Sequence, residues 1–277
     1  MELKGKTAIV TGGGAGIGEG IALCLAEAGA DVVIVDINKE RATGVADKIK
    51  SFGRKSLVSI SDATNGEQIQ QATRKIIETF AKIDILVNVV GGEVRFYKER
   101  TGERFVEISG QEWNEMIDLN LNATVKTCQA VVPFMIKQNG GKIVNISSDG
   151  GRSPIWTGVR QSASSMAYGV SKAGIIQFTG LLALELAEHN INVNCVAPGA
   201  VWTPMFEKHA LREITSKPQF KGMTPRKYYE KVIVGGSPLK REVTPADIGD
   251  AVAFLVSDKA RNITGQSINV DAGTRPG

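Results

Sequence analysis

Runs of β-branched and apolar residues recur along this 277-residue chain, and stretches with helical spacing fall between them. Thr7–Val10 (TAIV), Val32–Val35 (VVIV), Ile85–Asn88 (ILVN), Lys142–Ile146 (KIVNI) and Ile191–Val196 (INVNCV) read as strands buried on both faces. That is the pattern of a parallel sheet covered above and below by helices. Ser56–Ser59 and Ser267–Val270 are weaker candidates. Gly18–Ala28 repeats apolar residues at Ile21, Leu25 and Ala28, then meets Gly29 where a left-handed cap is wanted; Glu67–Phe80, Gln111–Met116 and Ala173–Ala187 follow as helices. Repeated strand–helix units predict an α/β fold, a doubly wound parallel sheet whose ligands bind beyond the carboxyl ends of the strands. No linker-like or low-complexity tract divides the chain, so 1–277 reads as one domain, with a lid insertion at about 203–243.

The loop after the first strand carries the first chemical signal. Thr11-Gly12-Gly13-Gly14-Ala15-Gly16-Ile17-Gly18 leads directly into a helix. Small residues there let the backbone approach a pyrophosphate, and the helix N-terminus supplies unpaired N–H groups with positive potential. Asp36 closes the second strand, where a carboxylate accepts hydrogen bonds from ribose hydroxyls and repels a 2′-phosphate. Neither Ala15 nor Ile37 offers a basic side chain to neutralise such a phosphate, so the sequence favours NAD over NADP. Asp62, after the third strand candidate, either meets the adenine or caps the next helix.

Charge and composition narrow the remaining classes. The net charge of +4 is too small to argue for nucleic acid, and no uncharged apolar run reaches the roughly 18 residues that span a bilayer. Cys24, Cys128 and Cys195 are widely spaced in apolar surroundings, and only His189 and His209 are present, so buried reduced thiols are expected and a metal site is not. A cytoplasmic protein is the expectation. The excess positive charge is concentrated: Met205–Arg241 holds nine Lys/Arg against three Asp/Glu.

Tyr168 and Lys172 stand four apart, on one face of a helix. With TGGGAGIG, Asn88-Val89-Val90-Gly91, Asn120, Ser147-Ser148, Tyr168-Gly169-Val170-Ser171-Lys172 and Pro198-Gly199 with Thr203, they make the whole chain resemble the short-chain dehydrogenase/reductase family. The order, spacing and strand-end placement agree with its TGxxxGxG, NNAG, YxxxK and PGxxxT motifs. Val89 and Val90 depart from NNAG, and 20 positions separate Ser148 from Tyr168, several more than is usual in the family. The added segment carries Arg152, Trp156 and Arg160 and is expected beside the substrate.

The resemblance implies a Rossmann-like fold and an NAD-dependent oxidoreductase working between a secondary alcohol and a ketone. Gly12, Gly14, Gly16, Ile17, Gly18, Asp36, Asp62, Asn88, Gly91, Pro198, Gly199, Val201 and Thr203 would contact the coenzyme. Lys172 would hold the nicotinamide ribose and lower the pKa of Tyr168, the general base; Ser148 would stabilise the developing alkoxide; Asn120 would anchor a water in the proton path. Alternatives are an NADPH-linked ketoreductase of acyl-carrier substrates and a catalytically silent nucleotide-binding scaffold. The basic lid, with Phe206 near its start, leads us to expect a small-molecule substrate with an apolar or ring-like body and an acidic or coenzyme A-linked handle. The family habit implies a homotetramer or homodimer.

Overall fold

The computed structural model describes residues 2–92, 104–152 and 163–276. Seven parallel strands form one sheet in the order β3-β2-β1-β4-β5-β6-β7: β1 (Thr7–Thr11), β2 (Asp31–Asp36), β3 (Ser56–Ile60), β4 (Ile85–Asn88), β5 (Gly141–Ile146), β6 (Ile191–Pro198) and β7 (Ser267–Val270). The doubly wound, Rossmann-like fold read from the sequence is therefore the observed one, and both weak strand candidates belong to the sheet. Strand alternation divides the core. Ala8, Val10, Val32 and Ile34 enter one apolar cluster, while their neighbours Ile9, Val33 and Val35 enter the other.

Nine α-helices are described: α1 (Gly16–Glu27), α2 (Lys39–Ser51), α3 (Gly66–Phe80), α4 (Gly110–Ile117), α5 (Ala123–Lys137), α6 (Ala163–Leu186), α7 (Pro204–Ser216), α8 (Pro225–Tyr228) and α9 (Pro245–Val256). Helices α1, α2 and α9 supply the first cluster; α3, α5 and α6 supply the second. The cap expected after α1 is present, with Gly29 at φ 105°. Helix α1 begins two residues before the expected start, and the expected helix at 173–187 is the latter part of the longer α6.

Helices α1 and α9 touch backbone to backbone. A Cβ on Gly20 would sit 2.6 Å from Pro245 O, and one on Gly249 would sit 3.0 Å from Gly20 O. Segment 203–243 returns to the body through a parallel bridge between Val201 and Val243. The strand order reverses between β1 and β4, so their carboxyl ends open a crevice there.

Candidate active site

The loop leaving β1 is shaped by close approach. Gly16 adopts φ +59°, and a Cβ on Gly18 would lie 2.1 Å from Gly12 O, so no side chain fits between the α1 N-terminus and the loop. Asp36 braces this loop from the end of β2. Its Oδ2 accepts from Gly14 N at 2.9 Å and its Oδ1 from Asn38 N at 2.9 Å. The cleft beyond the loop has a volume of about 240 Å³. Its walls are Gly12 and Ala15–Gly18, the strand-end residues Val89–Gly92, Ile146 and Ser147, then Tyr168 and Lys172 of α6, and Thr203–Met205 at the start of 203–243.

Lys172 is 3% exposed and donates from Nζ to Ile146 O at 3.1 Å. Burial pulls its ammonium pKa down to about 8. Its Nζ lies 5.7 Å from the centre of the Tyr168 ring. Opposite it, the wide turn Asp118–Asn122 turns Asn120 inward, fully buried. Asn120 Oδ1 accepts from Gly92 N at 2.8 Å, while Nδ2 donates to Gly92 O at 2.9 Å and Met116 O at 3.1 Å. The side chain expected to anchor a water thus clamps the Gly91–Gly92 turn. Ser148 follows β5; its Oγ accepts from Gly150 N at 3.1 Å and donates to Asp149 Oδ1 at 3.2 Å.

Several expected contacts lie behind the walls. Asn88 points into the sheet, its Nδ2 donating to Asn145 Oδ1 at 2.9 Å, because the strand end is buried on both sides. It is not among the wall residues of the cleft. Asp62 Oδ1 accepts from Thr64 N and Thr64 Oγ1, holding a turn, while Asn65 caps α3. Gly199 packs against Asp271, Pro198 ends β6 and Val201 makes the bridge to Val243; none of these three forms part of the wall. Thr203 does, with its hydroxyl capping α7 by accepting from Phe206 N at 3.2 Å. Of the expected substrate residues, Trp156 and Arg160 lie outside the described residues. Arg152 Nη1 donates to Ser267 O at 2.7 Å on β7. Phe206 packs on Tyr229 with ring centres 5.0 Å apart.

The basic segment is partly neutralised from within. Arg226 lies 5.2 Å over Trp202 and grips Glu242 with two nitrogens, at 2.9 and 2.6 Å, and Glu230 at 2.8 Å. Lys217 pairs with Glu213. Tyr229, fully buried, donates to Ala200 O at 3.1 Å. Arg41 is a wall residue that the sequence reading missed, three positions beyond the Asn38 that caps α2. Ala15 and Ile37 adjoin the glycine loop and Asp36 in sequence, whereas Arg41 is brought around to the cleft only by the first turn of α2.

A family model described as enoyl-(acyl carrier protein) reductase matches residues 12–275. The chain belongs to the short-chain dehydrogenase/reductase family. Among its relatives is 3-oxoacyl-(acyl-carrier-protein) reductase FabG of Thermotoga maritima, 33% identical over 273 residues that cover 99% of both chains. Another is (2S)-((R)-hydroxy(phenyl)methyl)succinyl-CoA dehydrogenase subunit BbsD of Thauera aromatica, 33% identical over 99% of this chain and 98% of its own. Carveol dehydrogenase of Mycobacterium avium, solved in complex with NAD, superposes with a TM-score of 0.87 at 29% identity, over 99% of this chain and 98% of the other. This short-chain dehydrogenase/reductase is thus an oxidoreductase, and its sheet is the family's sheet.

Proposed function

We propose that this enzyme interconverts a secondary alcohol and a ketone with NAD(H). The observation that carries the coenzyme preference is Asp36, whose carboxylate is fixed against the glycine loop by Gly14 N and Asn38 N. A carboxylate held there accepts from the ribose hydroxyls and repels a 2′-phosphate. The side-chain-free contact of Gly18 with Gly12 and the α1 N-terminus fit the pyrophosphate. When bound, the coenzyme supplies the hydride acceptor or donor. Tyr168 holds the proton that leaves or joins the substrate oxygen, at its phenol oxygen. Lys172, charged and buried beside that ring, stabilises negative charge on it and reaches toward the ribose. Ser148 donates its hydroxyl proton to the same substrate oxygen as charge develops. Asn120 keeps the Gly91–Gly92 turn pressed against Lys172.

For the substrate we retain an apolar or ring-like body with an acidic or coenzyme A-linked handle. BbsD, by its name, handles a coenzyme A thioester. Arg226 and Lys217 spend their charge inside 203–243, so the handle falls to exposed cations such as Lys208, Lys221 and Lys227. A second reading, an NADPH-linked ketoreductase of acyl-carrier substrates, is favoured by Arg41 in the cleft wall. Comparing kcat/KM with NAD and NADP, for the wild type, Arg41→Ala and the pair Asp36→Ala with Ile37→Arg, decides between them. The expected result is a wild-type preference for NAD that the pair reverses. A wild-type preference for NADP that Arg41→Ala removes establishes the second reading.

A further inference from the structure

The turn that carries Ser148 meets the far end of the chain. Asp149 shares its two oxygens between these partners: Oδ1 accepts from the Ser148 hydroxyl at 3.2 Å, and Oδ2 faces Arg275 Nε at 3.5 Å and Thr274 Oγ1 at 3.4 Å. The tail presenting Arg275 is built, not loose. Asp271, 7% exposed, accepts from Gly273 N at 2.9 Å and from Arg275 N at 2.8 Å, and Asn269 Nδ2 donates to Arg275 O. The side chains of Arg275 and Asp149 are only 15% and 22% exposed, so water screens the pair far less than it would an ion pair on the open surface.

A serine hydroxyl has one proton to give. In the structure that proton goes to Asp149, and an ionised carboxylate is a stronger acceptor than a neutral carbonyl. Positive charge at the outer oxygen draws electron density away from the inner one and weakens its hold. We propose that Arg275 is a positioning residue for turnover: by engaging Asp149 from the C-terminal tail, it loosens that carboxylate's grip on Ser148 and releases the hydroxyl toward the substrate oxygen. This rests on the role given to Ser148 above.

Burial pushes the Asp149 carboxyl above its ordinary range, and Arg275, then the Ser148 hydrogen bond, work against that rise. The charged and titratable groups on the elements packed here are Arg152 on the same turn, Asp271 and Arg275 on the tail, and Tyr168 and Lys172 on α6, whose Gly169 and Lys172 backbone lie against Gly150 and Gly151. Removing Arg275 leaves Asp149 more basic. Its interference with Ser148 is then full at high pH and fades as the carboxyl takes up a proton.

The test is ketone reduction from about pH 8 to about pH 5 for the wild type, Arg275→Gln, Arg275→Lys, Arg275→Gln with Asp149→Asn, and Ser148→Ala, each with its melting temperature. Arg275→Gln is expected to lower kcat roughly tenfold at high pH, the scale of one charged hydrogen bond, with little change in coenzyme KM. The loss shrinks as pH falls, Arg275→Lys recovers part of it, and adding Asp149→Asn recovers most of it. If Arg275→Gln is too unstable to assay, Arg275→Lys carries the test, with a smaller pH-dependent loss that Asp149→Asn again relieves. A pH-independent loss, no loss, or a double variant no faster than Arg275→Gln overturns the proposal and leaves Arg275 a staple of the tail. An inactive Ser148→Ala beside such a result leaves the catalytic reading standing. Wild-type turnover by Ser148→Ala overturns both.

Discussion

Gly91 is squeezed between two groups of the proposed machinery, and one methyl group there tests whether their placement matters. A Cβ added at Gly91 would lie 2.7 Å from Asn120 Oδ1 and 2.9 Å from Lys172 Nζ. Ordinary contacts begin near ~3.5 Å, so each neighbour must yield by roughly half an ångström or more. Asn120 has little room to yield, because both ends of its amide are bonded to Gly92. Lys172 Nζ, at the end of a flexible stem, gives way first and leaves Ile146 O. Displacements approaching 1 Å in a catalytic constellation cost up to about 100-fold, so a kcat loss of about 10- to 100-fold is expected for Gly91→Ala, with about 1–3 kcal/mol of stability lost to overpacking. The assay is steady-state turnover beside a thermal melt. Gly44→Ala is the control: it lies inside α2 with nothing within 4 Å of its added methyl, and should gain about 0.5–1 kcal/mol while turning over normally. A folded Gly91→Ala enzyme with kcat within about twofold of wild type refutes the reasoning.

Tyr168→Phe should abolish turnover and leave NADH binding nearly intact by fluorescence titration, since the ring stays and only the proton carrier goes; substantial residual turnover defeats the mechanism. Lys172 carries a folded-state pKa of about 8 against an ordinary 10.5, so its charge opposes folding below pH 8, and the handicap disappears as pH rises through 10.5. Lys172→Met should therefore be inactive yet more stable at neutral pH by up to about 3 kcal/mol, with the gap closing in alkali; denaturant melts showing it less stable at pH 7 would refute this. The outer face of α6 bears exposed Met166, Val170, Leu181 and Leu184, which we propose as the contact of a homodimer or homotetramer. Leu181→Glu with Leu184→Glu should shift the mass by light scattering to a monomer, and an unchanged mass rules out that face.

What the sequence revealed follows from where each signal is stored. The central strands were legible because burial on both faces leaves an unbroken β-branched run, as in Val32–Val35. Strands β3 and β7 are sheet edges with half-exposed residues, and their signal was correspondingly weaker. Helix α2 is polar except for Ala42, Val45, Ala46 and Ile49, and α5 contains Pro133, so neither announced itself; packing against the sheet sustains both. Asp36, at a strand end beside a glycine loop, was readable from spacing alone. The inward turn of Asn88 was not, because a motif records that a residue is present and not which way its amide points. Nor was the meeting of Asp149 with Arg275, which are brought together only by the pairing of β5 with β6 and of β6 with β7 and leave no local trace.

The ties around Tyr229 divide the labour within segment 203–243. Its two roots are joined by the Val201–Val243 bridge, and Tyr229 donates to Ala200 O and Val243 O, closing a triangle that Arg226 reinforces through Glu242. Thr244 caps α9, which is itself bolted to α1 at glycines too tight for any side chain. Residues 225–243 are consequently a mounting plate, fixed to the same frame as the glycine loop. Within 203–243, any hinge that admits or releases a substrate therefore falls before residue 225, and the 225–243 root keeps the frame it shares with the glycine loop.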